Sequence, residues 1–290
     1  MEKDRKAEFR RALLEVKNLP TLPGIVAKLT RMAEDPDTTT EQMGRVISKD
    51  HILAAKLLKL VNSAFYGFPQ KISSLSSAII LLGFNVIKSL IISASIFELM
   101  ESSDVELWEH SLGTAVVASI LAKRLGIKDP EEVSTAGLIH DIGKVAVKME
   151  LPEQYDEILN IVEMKKVSML EAERLVLGLD HAEVGGWLAK SWFLPRKLVE
   201  PISCHHVPKA SREEPLASAI LHFSDVLIRG LGYGHGTDIW VPPLSKFAWD
   251  TLGLSAQDLD EILAQVEENL WEVKGFSLDI QSELVNKKQE

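Results

Sequence analysis

Seven histidine and aspartate residues in the middle of the chain are the side chains best suited to carry chemistry. Two of them, His110 and Asp225, lie among hydrophobic residues at helical spacing, so we expect both to point into the interior. An ionised carboxylate buried beside imidazoles is unfavourable unless a cation or hydrogen bonds compensate its charge. The pattern therefore predicts a buried metal site, and its candidate ligands are His110, His140, Asp141, His181, His205, His206 and Asp225.

The ligand types narrow the choice of metal. Imidazole nitrogen and carboxylate oxygen together suit Mn, Fe, Co, Ni or Zn, whereas Ca and Mg prefer oxygen ligands alone. We therefore expect a divalent transition metal, as one or two ions, with Fe or Mn favoured and Ni, Co or Zn as alternatives. Any one of these histidines taken alone would more often be a hydrogen-bonded core or surface residue, and it is the ordered set that favours a metal.

The order of the ligands resembles the HD superfamily of metal-dependent phosphohydrolases. In that superfamily a histidine is followed by a His-Asp doublet and then by a distant aspartate. His110, the pair His140 and Asp141 in "GLIHDIGKVAV", and Asp225 match this series.

Three further histidines resemble the two-metal branch of the superfamily, notably the HD-GYP cyclic-dinucleotide phosphodiesterases. That branch has a lone histidine before a His-His pair, and here His181 precedes His205 and His206. Glu106 stands one helical turn before His110, as in HD-GYP members that hold a third metal, so it is a further candidate ligand. A solvated helix residue is the alternative interpretation of Glu106.

The same resemblance implies phosphoester hydrolysis by a water made acidic between two metals that share Asp141. Lys144, in "HDIGK", would stabilise charge on the phosphoryl group, so Asp141 and Lys144 are the candidate catalytic residues. Pairing of Lys144 with a surface carboxylate is the alternative. One metal would belong to His110, His140 and Asp225, and the other to His181 and His205, with His206 as a further ligand.

A second resemblance begins upstream of these residues. The segments "NLPTLPGIVAKL" and "AAKLLKLVNSAFYGFPQKISSLSSAIILLGFNVIKSLI" resemble the HDOD domain, the HD-related output domain of bacterial signalling proteins, and the "LVNSAFYG" run is specific. HDOD domains characteristically have lost much of the metal set and are thought to act as regulatory or interaction modules, whereas here the full series is present. The resemblance implies signalling protein partners and a nucleotide or cyclic-dinucleotide ligand. It leaves open a nucleotide phosphohydrolase or a non-catalytic regulatory module with a structural or vestigial metal site.

Composition excludes several other classes of function. The chain of 290 residues has 42 acidic and 32 basic residues, a net charge of -10 and no block of Lys or Arg, so we expect no polymeric nucleic acid partner. Its single cysteine, Cys204, permits no intramolecular disulfide and is typical of a reducing compartment. The charged N-terminus lacks the features of a secretory signal, and together these observations predict a cytoplasmic protein.

Helical periodicity predicts an all-α fold, and the resemblance makes it a multi-helix HD-superfamily bundle with an N-terminal HDOD helical subdomain. We expect three segments: the HDOD subdomain at residues 1–105, the HD-type metal-binding core at 106–230, and a loop with a C-terminal helix that packs on the core at 231–290. The apolar stretch "AIILLGFNVIKSLIISASIFELM" is interrupted near its middle, so two buried helices joined at "GFN" are favoured over a membrane span.

Two segments give sharper helix predictions. Leu53, Leu57, Leu60, Val61 and Ala64 share one face of a helix, which is predicted to end at Gly67 and Pro69. Near the C-terminus, Ser255 is a predicted N-cap with Asp258 three residues on, followed by a stripe formed by Leu259, Ile262, Leu263 and Val266.

We predict that cyclic di-GMP is not an efficient substrate. No Gly-Tyr-Pro segment follows "HHVPKASREEP", the interval between His206 and Asp225 is short, and the "GYG" at residues 232–234 comes after Asp225 and cannot substitute. Chromatography of cyclic di-GMP incubated with metal-loaded protein should therefore show little linear dinucleotide or GMP. Rapid conversion would mean that the missing segment is not needed for this substrate.

Overall fold

The computed structural model describes residues 37–49, 51–62, 70–97, 105–234 and 240–270, together with residues 9, 11, 28–29, 31–32, 35, 66, 68 and 238. Every regular element in these ranges is helical, which confirms the predicted all-α fold. The helices are α1 (Thr40–Ile47), α2 (His51–Val61), α3 (Leu75–Phe97), α4 (Val105–Arg124), α5 (Pro130–Ile139), α6 (Ile142–Glu150), α7 (Pro152–Lys165), α8 (Met169–Leu177), α9 (His181–Ser191), α10 (Arg196–Cys204), α11 (Pro215–Gly230), α12 (Lys246–Leu252) and α13 (256–270), with a short 3-10 helix at Pro208–Ala210.

The apolar stretch that begins at residue 78 forms two helical pieces inside α3, as predicted. Gly83 separates them with φ 79° and ψ 162°, a conformation that glycine adopts without strain and other residues avoid. No helix within the described ranges is both long and apolar enough to cross a membrane. The end of the stretch, residues 98–100, lies outside the described residues.

Helix α2 buries the predicted stripe but ends earlier than expected. Leu57 and Val61 are fully buried, whereas the helix stops at Val61 rather than at Gly67. The side chain of Asn62 explains this end, because its amide donates to the carbonyl oxygen of Leu58 and its oxygen accepts from the N–H of Ile72. A side chain that bonds the backbone in this way competes with helix continuation. Ala64, Gly67 and Pro69 lie outside the described residues.

One cluster of buried hydrophobic side chains runs through α1 to α10. It includes Leu57 and Ile87 from the N-terminal helices, Leu112 from α4, Ile158 from α7 and Leu198 from α10. Each fully buried leucine or isoleucine contributes about 1.5–3 kcal/mol relative to exposure. Because the cluster is continuous across residue 105, it does not mark the predicted boundary there, and the division into three segments stays a prediction.

A second hydrophobic cluster joins the C-terminal helices to the other face of α4. It includes Val117, Ile220 from α11, Leu252 from α12 and Ile262 from α13. The predicted N-cap of α13 is confirmed, because Ser255 Oγ accepts from the N–H of the residue three positions on at 3.2 Å. This packing holds α4 and α11, the two long helices of the centre, against each other.

We predict that Gly83→Ala destabilises the fold by about 1–3 kcal/mol, since an alanine must adopt a backbone conformation that its Cβ disfavours. Gly230→Ala is the matched control: open space surrounds both glycines, but Gly230 lacks the positive φ. The control should be neutral or stabilising by about 0.4–1 kcal/mol. Urea unfolding measures both changes, and equal effects of the two substitutions would contradict the assigned role of Gly83.

Candidate metal centre

The predicted ligands converge in the interior from six helices and the turns between them. The helices are rigid, so each one holds its ligand side chain in the same part of the interior. Most of the ligands lie at helix ends. The interior of α4 carries His110 and that of α11 carries Asp225, whereas helix ends and turns carry the others: His140, Asp141, His181, His205 and His206.

Three of these side chains form a first half-site. The Nε2 atom of His110 lies 3.0 Å from Oδ1 of Asp225 and 3.3 Å from Nε2 of His140. All three residues are buried, and one ligand atom from each could hold a single metal ion. This is one of the two groupings that the resemblance implies.

Three histidines form a second half-site. The Nε2 atoms of His181 and His206 are 2.7 Å apart, and the ring of His205 stacks at a tilt against that of His206 with centroids 4.0 Å apart. One ligand atom from each could again hold one metal ion. The second half-site therefore consists of imidazoles alone.

Asp141 lies between the two half-sites. Its Oδ1 atom is 3.2 Å from Nε2 of His181 and 3.4 Å from Nε2 of His140, so one oxygen faces both groups. Asp141 also forms a third candidate metal group with His140 and His205. This position is the one expected of a shared ligand.

Several polar atoms at the centre are buried without a hydrogen-bond partner. They include Oδ1 of Asp141, Oδ2 of Asp225 and Nε2 of His205. Buried acceptors without partners are unfavourable, whereas metal ions held by the groups that contain these residues would satisfy them. The donor set and its unpartnered atoms therefore fit a divalent transition metal.

Hydrogen bonds at the far side of the rings fix how two histidines point. Nδ1 of His140 donates to the carbonyl oxygen of Gly137, and Nδ1 of His205 donates to that of Ile202, each at 2.7 Å. Because Nδ1 is engaged in each ring, Nε2 is left as the ligand atom. The helix turns that precede these residues therefore set the orientation of the rings.

Burial keeps most of the imidazoles neutral. It lowers the pKa of His110 to about 4 and that of His205 to about 3. Burial also lowers the pKa of His140, and it holds the pKa of His206 well below its usual value. Neutral imidazole is the form that binds metal, so these four side chains are ready to act as ligands near pH 7.

Glu173, in α8, orients His181. Its carboxylate accepts hydrogen bonds from Nδ1 of His181 at 2.7 Å and from the backbone N–H of the same residue at 2.9 Å. Burial would lower the pKa of His181, but the Glu173 carboxylate, with a smaller contribution from Asp141, raises it to about 9. Glu173 was not predicted as a site residue, although it lies on the apolar stripe of α8, four residues from both Met169 and Leu177, which is the signal that could have found it.

Two buried cations compensate part of the negative charge. Lys144 donates to Oδ2 of Asp141 at 2.6 Å, and Arg229 pairs with Asp225 and with Asp238, both at 2.8 Å. Burial would raise the pKa of Asp225, but the guanidinium of Arg229 holds it well below its usual value. Arg229 and Asp238 were also missed, although the four-residue spacing of Asp225 and Arg229 was visible in the sequence.

A close approach between α6 and α9 brings Asp141 to His181. A Cβ atom at Gly143 would overlap the carbonyl oxygen of His181, so only glycine allows the two backbones this contact. The glycine of the "HDIGK" motif therefore has a packing role.

The two remaining candidates, Lys144 and Glu106, differ in burial and in whether they reach the centre. Lys144 is buried and pairs with Asp141 rather than with a surface carboxylate, and its contact with a phosphate stays a prediction. The side chain of Glu106 is exposed and belongs to none of the metal groups found among the described residues. The i, i+4 spacing places Glu106 near His110 along the helix but beyond the buried part of that face. The structure therefore does not bring Glu106 into the centre.

Comparison with known proteins identifies the family. The sequence model of the HDOD domain matches residues 19–208. The chain belongs to the HDOD domain family. The crystal structure of an HDOD domain protein of unknown function from Geobacter sulfurreducens is 27% identical, has a TM-score of 0.71, and covers 94% of this HDOD protein and 99% of its own chain.

Other relatives of this HDOD protein extend the comparison. A structure from Shewanella amazonensis SB2B, whose name proposes phosphohydrolase activity, is 25% identical, with a TM-score of 0.64 and coverage of 94% of this chain and 98% of its own. An uncharacterized protein of Treponema pallidum (strain Nichols) is 30% identical over 224 residues, which are 74% of this chain and 43% of the relative. YuxH of Bacillus subtilis (strain 168) is 30% identical over 45% of this chain and 34% of its own. The chain therefore spans less than half the length of these two curated relatives.

We predict that a transition metal stabilises this HDOD protein through Asp141. Mn²⁺ at about 100 times its dissociation constant should raise the free energy of unfolding by about 2.7 kcal/mol, because a ligand that binds only the folded state stabilises by mass action. Asp141→Asn keeps the size of the side chain but removes its charge, so this variant should lose most of the effect. Denaturant unfolding of metal-free protein, with and without Mn²⁺, measures the difference.

Asp129→Asn is the matched control, since Asp129 pairs with Lys197 at the protein surface, where the two side chains are 44% and 49% exposed. The control should respond to Mn²⁺ as the wild type does. Equal responses of wild type and Asp141→Asn would contradict the placement of Asp141 as a ligand. Elemental analysis that finds no uptake of any transition metal would contradict the whole centre.

Proposed function

We propose that the protein is a metal-dependent phosphohydrolase that acts on a nucleotide phosphoester in bacterial signalling. The observation that carries the proposal is the shared position of Asp141 between two metal-ligand groups, beside a buried lysine. Two ions held by one bridging carboxylate are the arrangement that phosphoryl-transfer enzymes use to stabilise attacking and leaving oxygens. The name of the Shewanella amazonensis relative supports the same reaction class.

The side chains of this protein have distinct roles in the proposed reaction. Bound metal would supply positive charge to the phosphoryl oxygens and make a nearby water more acidic. Asp141 fixes the spacing of the two half-sites, and Glu173 holds His181 with its Nε2 atom toward the centre. Lys144, 2.6 Å from Asp141, would donate to a phosphoryl oxygen as negative charge develops there.

Solvent lies nearer to the ligands of the second half-site than to those of the first. The imidazole of His206 is 6% exposed, whereas those of His181 and His205 are fully buried, and Val207 beside it is 49% exposed. The ligands of the first half-site are all buried. A phosphoester from solvent would therefore approach along the edge formed by His206.

A second candidate is a regulatory module in which the metal is structural. The observation that favours it is the burial of the centre, since structural metal sites are closed whereas catalytic sites keep an open position. His110, His140, Asp141, His181, His205 and Asp225 are each at most 2% exposed. In this role the protein would bind a signalling partner, and the identity of the metal, with Fe or Mn favoured, would matter less than its presence.

We predict metal-dependent turnover on a panel of phosphate monoesters, diesters and nucleotides, with release of phosphate or nucleoside monophosphate as the measurement. Lys144→Met should lower kcat by about 100-fold or more, as expected when one donor to a developing oxyanion is removed. Lys165→Met is the control because Lys165 is exposed on α7, and its kcat should be unchanged. Protein that binds metal but turns over nothing on this panel would favour the regulatory module.

A further inference from the structure

The residues around the two half-sites bury more negative than positive charge. Four carboxylates and two cations are buried there: Asp141, Glu173, Asp225, Asp238, Lys144 and Arg229. Asp180 is buried nearby but pairs with Arg174, so it adds no net charge. The excess of two negative charges equals the charge of one divalent cation. When both half-sites hold a metal, every imidazole ligand is neutral, His181 included, so the imidazoles do not alter this count.

A second divalent cation would reverse the sign of the buried charge. Two positive charges would then lie in the interior without compensation, which is strongly unfavourable in a medium of low dielectric. The buried charge of the chain therefore does not compensate two metals, although the geometry provides two half-sites. Something from outside the chain must compensate the second ion.

The carboxylates are divided unequally between the half-sites. The first half-site contains Asp225 and lies beside Asp141, whose Oδ2 atom is 3.7 Å from Nε2 of His110. The second half-site has three imidazoles and a share of Asp141, and Asp225 approaches it only at 4.0 Å, from Oδ2 to Nδ1 of His206. Glu173 does not help there as a ligand, because it contacts the Nδ1 side of His181. The uncompensated charge would therefore belong to an ion at the second half-site.

We propose that the second half-site binds a divalent metal only together with a phosphoryl oxyanion, whereas the first half-site binds its metal alone. The proposal rests on the proposed metal-dependent function and names the ligand class as a phosphate monoester or diester anion. Such an anion supplies the missing negative charge and occupies the open position that a three-histidine site leaves. The imidazole of His206 is the least buried of the histidine ligands and lies next to the exposed Val207, so the anion would enter from this side.

The test is a calorimetric titration of the whole metal-free chain with Mn²⁺, with and without an excess of methylphosphonate as an unreactive phosphoryl anion. We expect one equivalent of Mn²⁺ without methylphosphonate and two with it. Because coupling between ligands is reciprocal, saturating Mn²⁺ should tighten methylphosphonate binding by about tenfold or more. Neither measurement depends on turnover.

A pair of variants at one position tests the role of charge directly. His206→Glu gives the second half-site a carboxylate of its own, so this variant should bind a second Mn²⁺ without methylphosphonate. His206→Gln has the same length without the charge, and it should bind only one Mn²⁺ under that condition. Circular dichroism checks that both variants are folded. If they are not, the wild-type titration alone tests whether the second Mn²⁺ needs methylphosphonate.

The outcomes separate this proposal from the function on which it rests. Two equivalents of Mn²⁺ in the wild type without methylphosphonate, or one equivalent under both conditions, would overturn the coupling while the metal-dependent function stands. A second Mn²⁺ that binds to His206→Gln without the anion would also overturn it. Wild-type protein that binds no Mn²⁺ under either condition would overturn the metal-dependent function itself.

Discussion

The charge of Asp141 at the junction of α5 and α6 is the feature on which the rest of the centre depends. One of its oxygens accepts a hydrogen bond from Lys144, and the other is buried without a hydrogen-bond partner and faces histidines of both half-sites. A buried carboxylate of this kind is unfavourable unless its environment compensates it. Lys144 does so in part, and a cation at either half-site would complete the compensation. The same charge therefore governs both the stability of the centre and the chemistry proposed for it.

Helix ends explain how so many ligands reach one place. The interior of a long helix presents about one side chain per turn to a given face. His110 in α4 and Asp225 in α11 are side chains of this kind. Residues at helix ends can cluster more closely, since two chain directions meet there. At these ends the backbone also supplies carbonyl acceptors, which hold His140 and His205 through Nδ1 before any metal binds. Little reorganisation is then needed for Nε2 to act as a ligand.

Sequence reasoning recovered the features that repeat along the chain and missed those that depend on tertiary contacts. Periodicity predicted the helices and the two pieces of α3, and the ordered series predicted residues that the structure does bring together. Periodicity could not show that the side chain of Asn62 ends α2, because this depends on a contact with Ile72. Periodicity places Glu173 on the apolar stripe of α8, but it could not show that this carboxylate meets His181 or that Glu106 faces solvent. The partner that each glutamate meets depends on the packing of neighbouring helices.

The N-terminal helices are attached to the elements that carry the ligands. The hydroxyl of Tyr66 lies 3.3 Å from that of Thr135 in α5, which leads into His140. Lys88 in α3 donates to the carbonyl oxygen of Phe193 at 3.2 Å, just beyond the end of α9, which begins with His181. Helices transmit small displacements along their length because they are rigid and closely packed. A change at either half-site would therefore act on the N-terminal helices through these contacts. The proposed catalytic role and the alternative regulatory role would thus draw on one set of contacts between the N-terminal helices and the elements that carry the ligands.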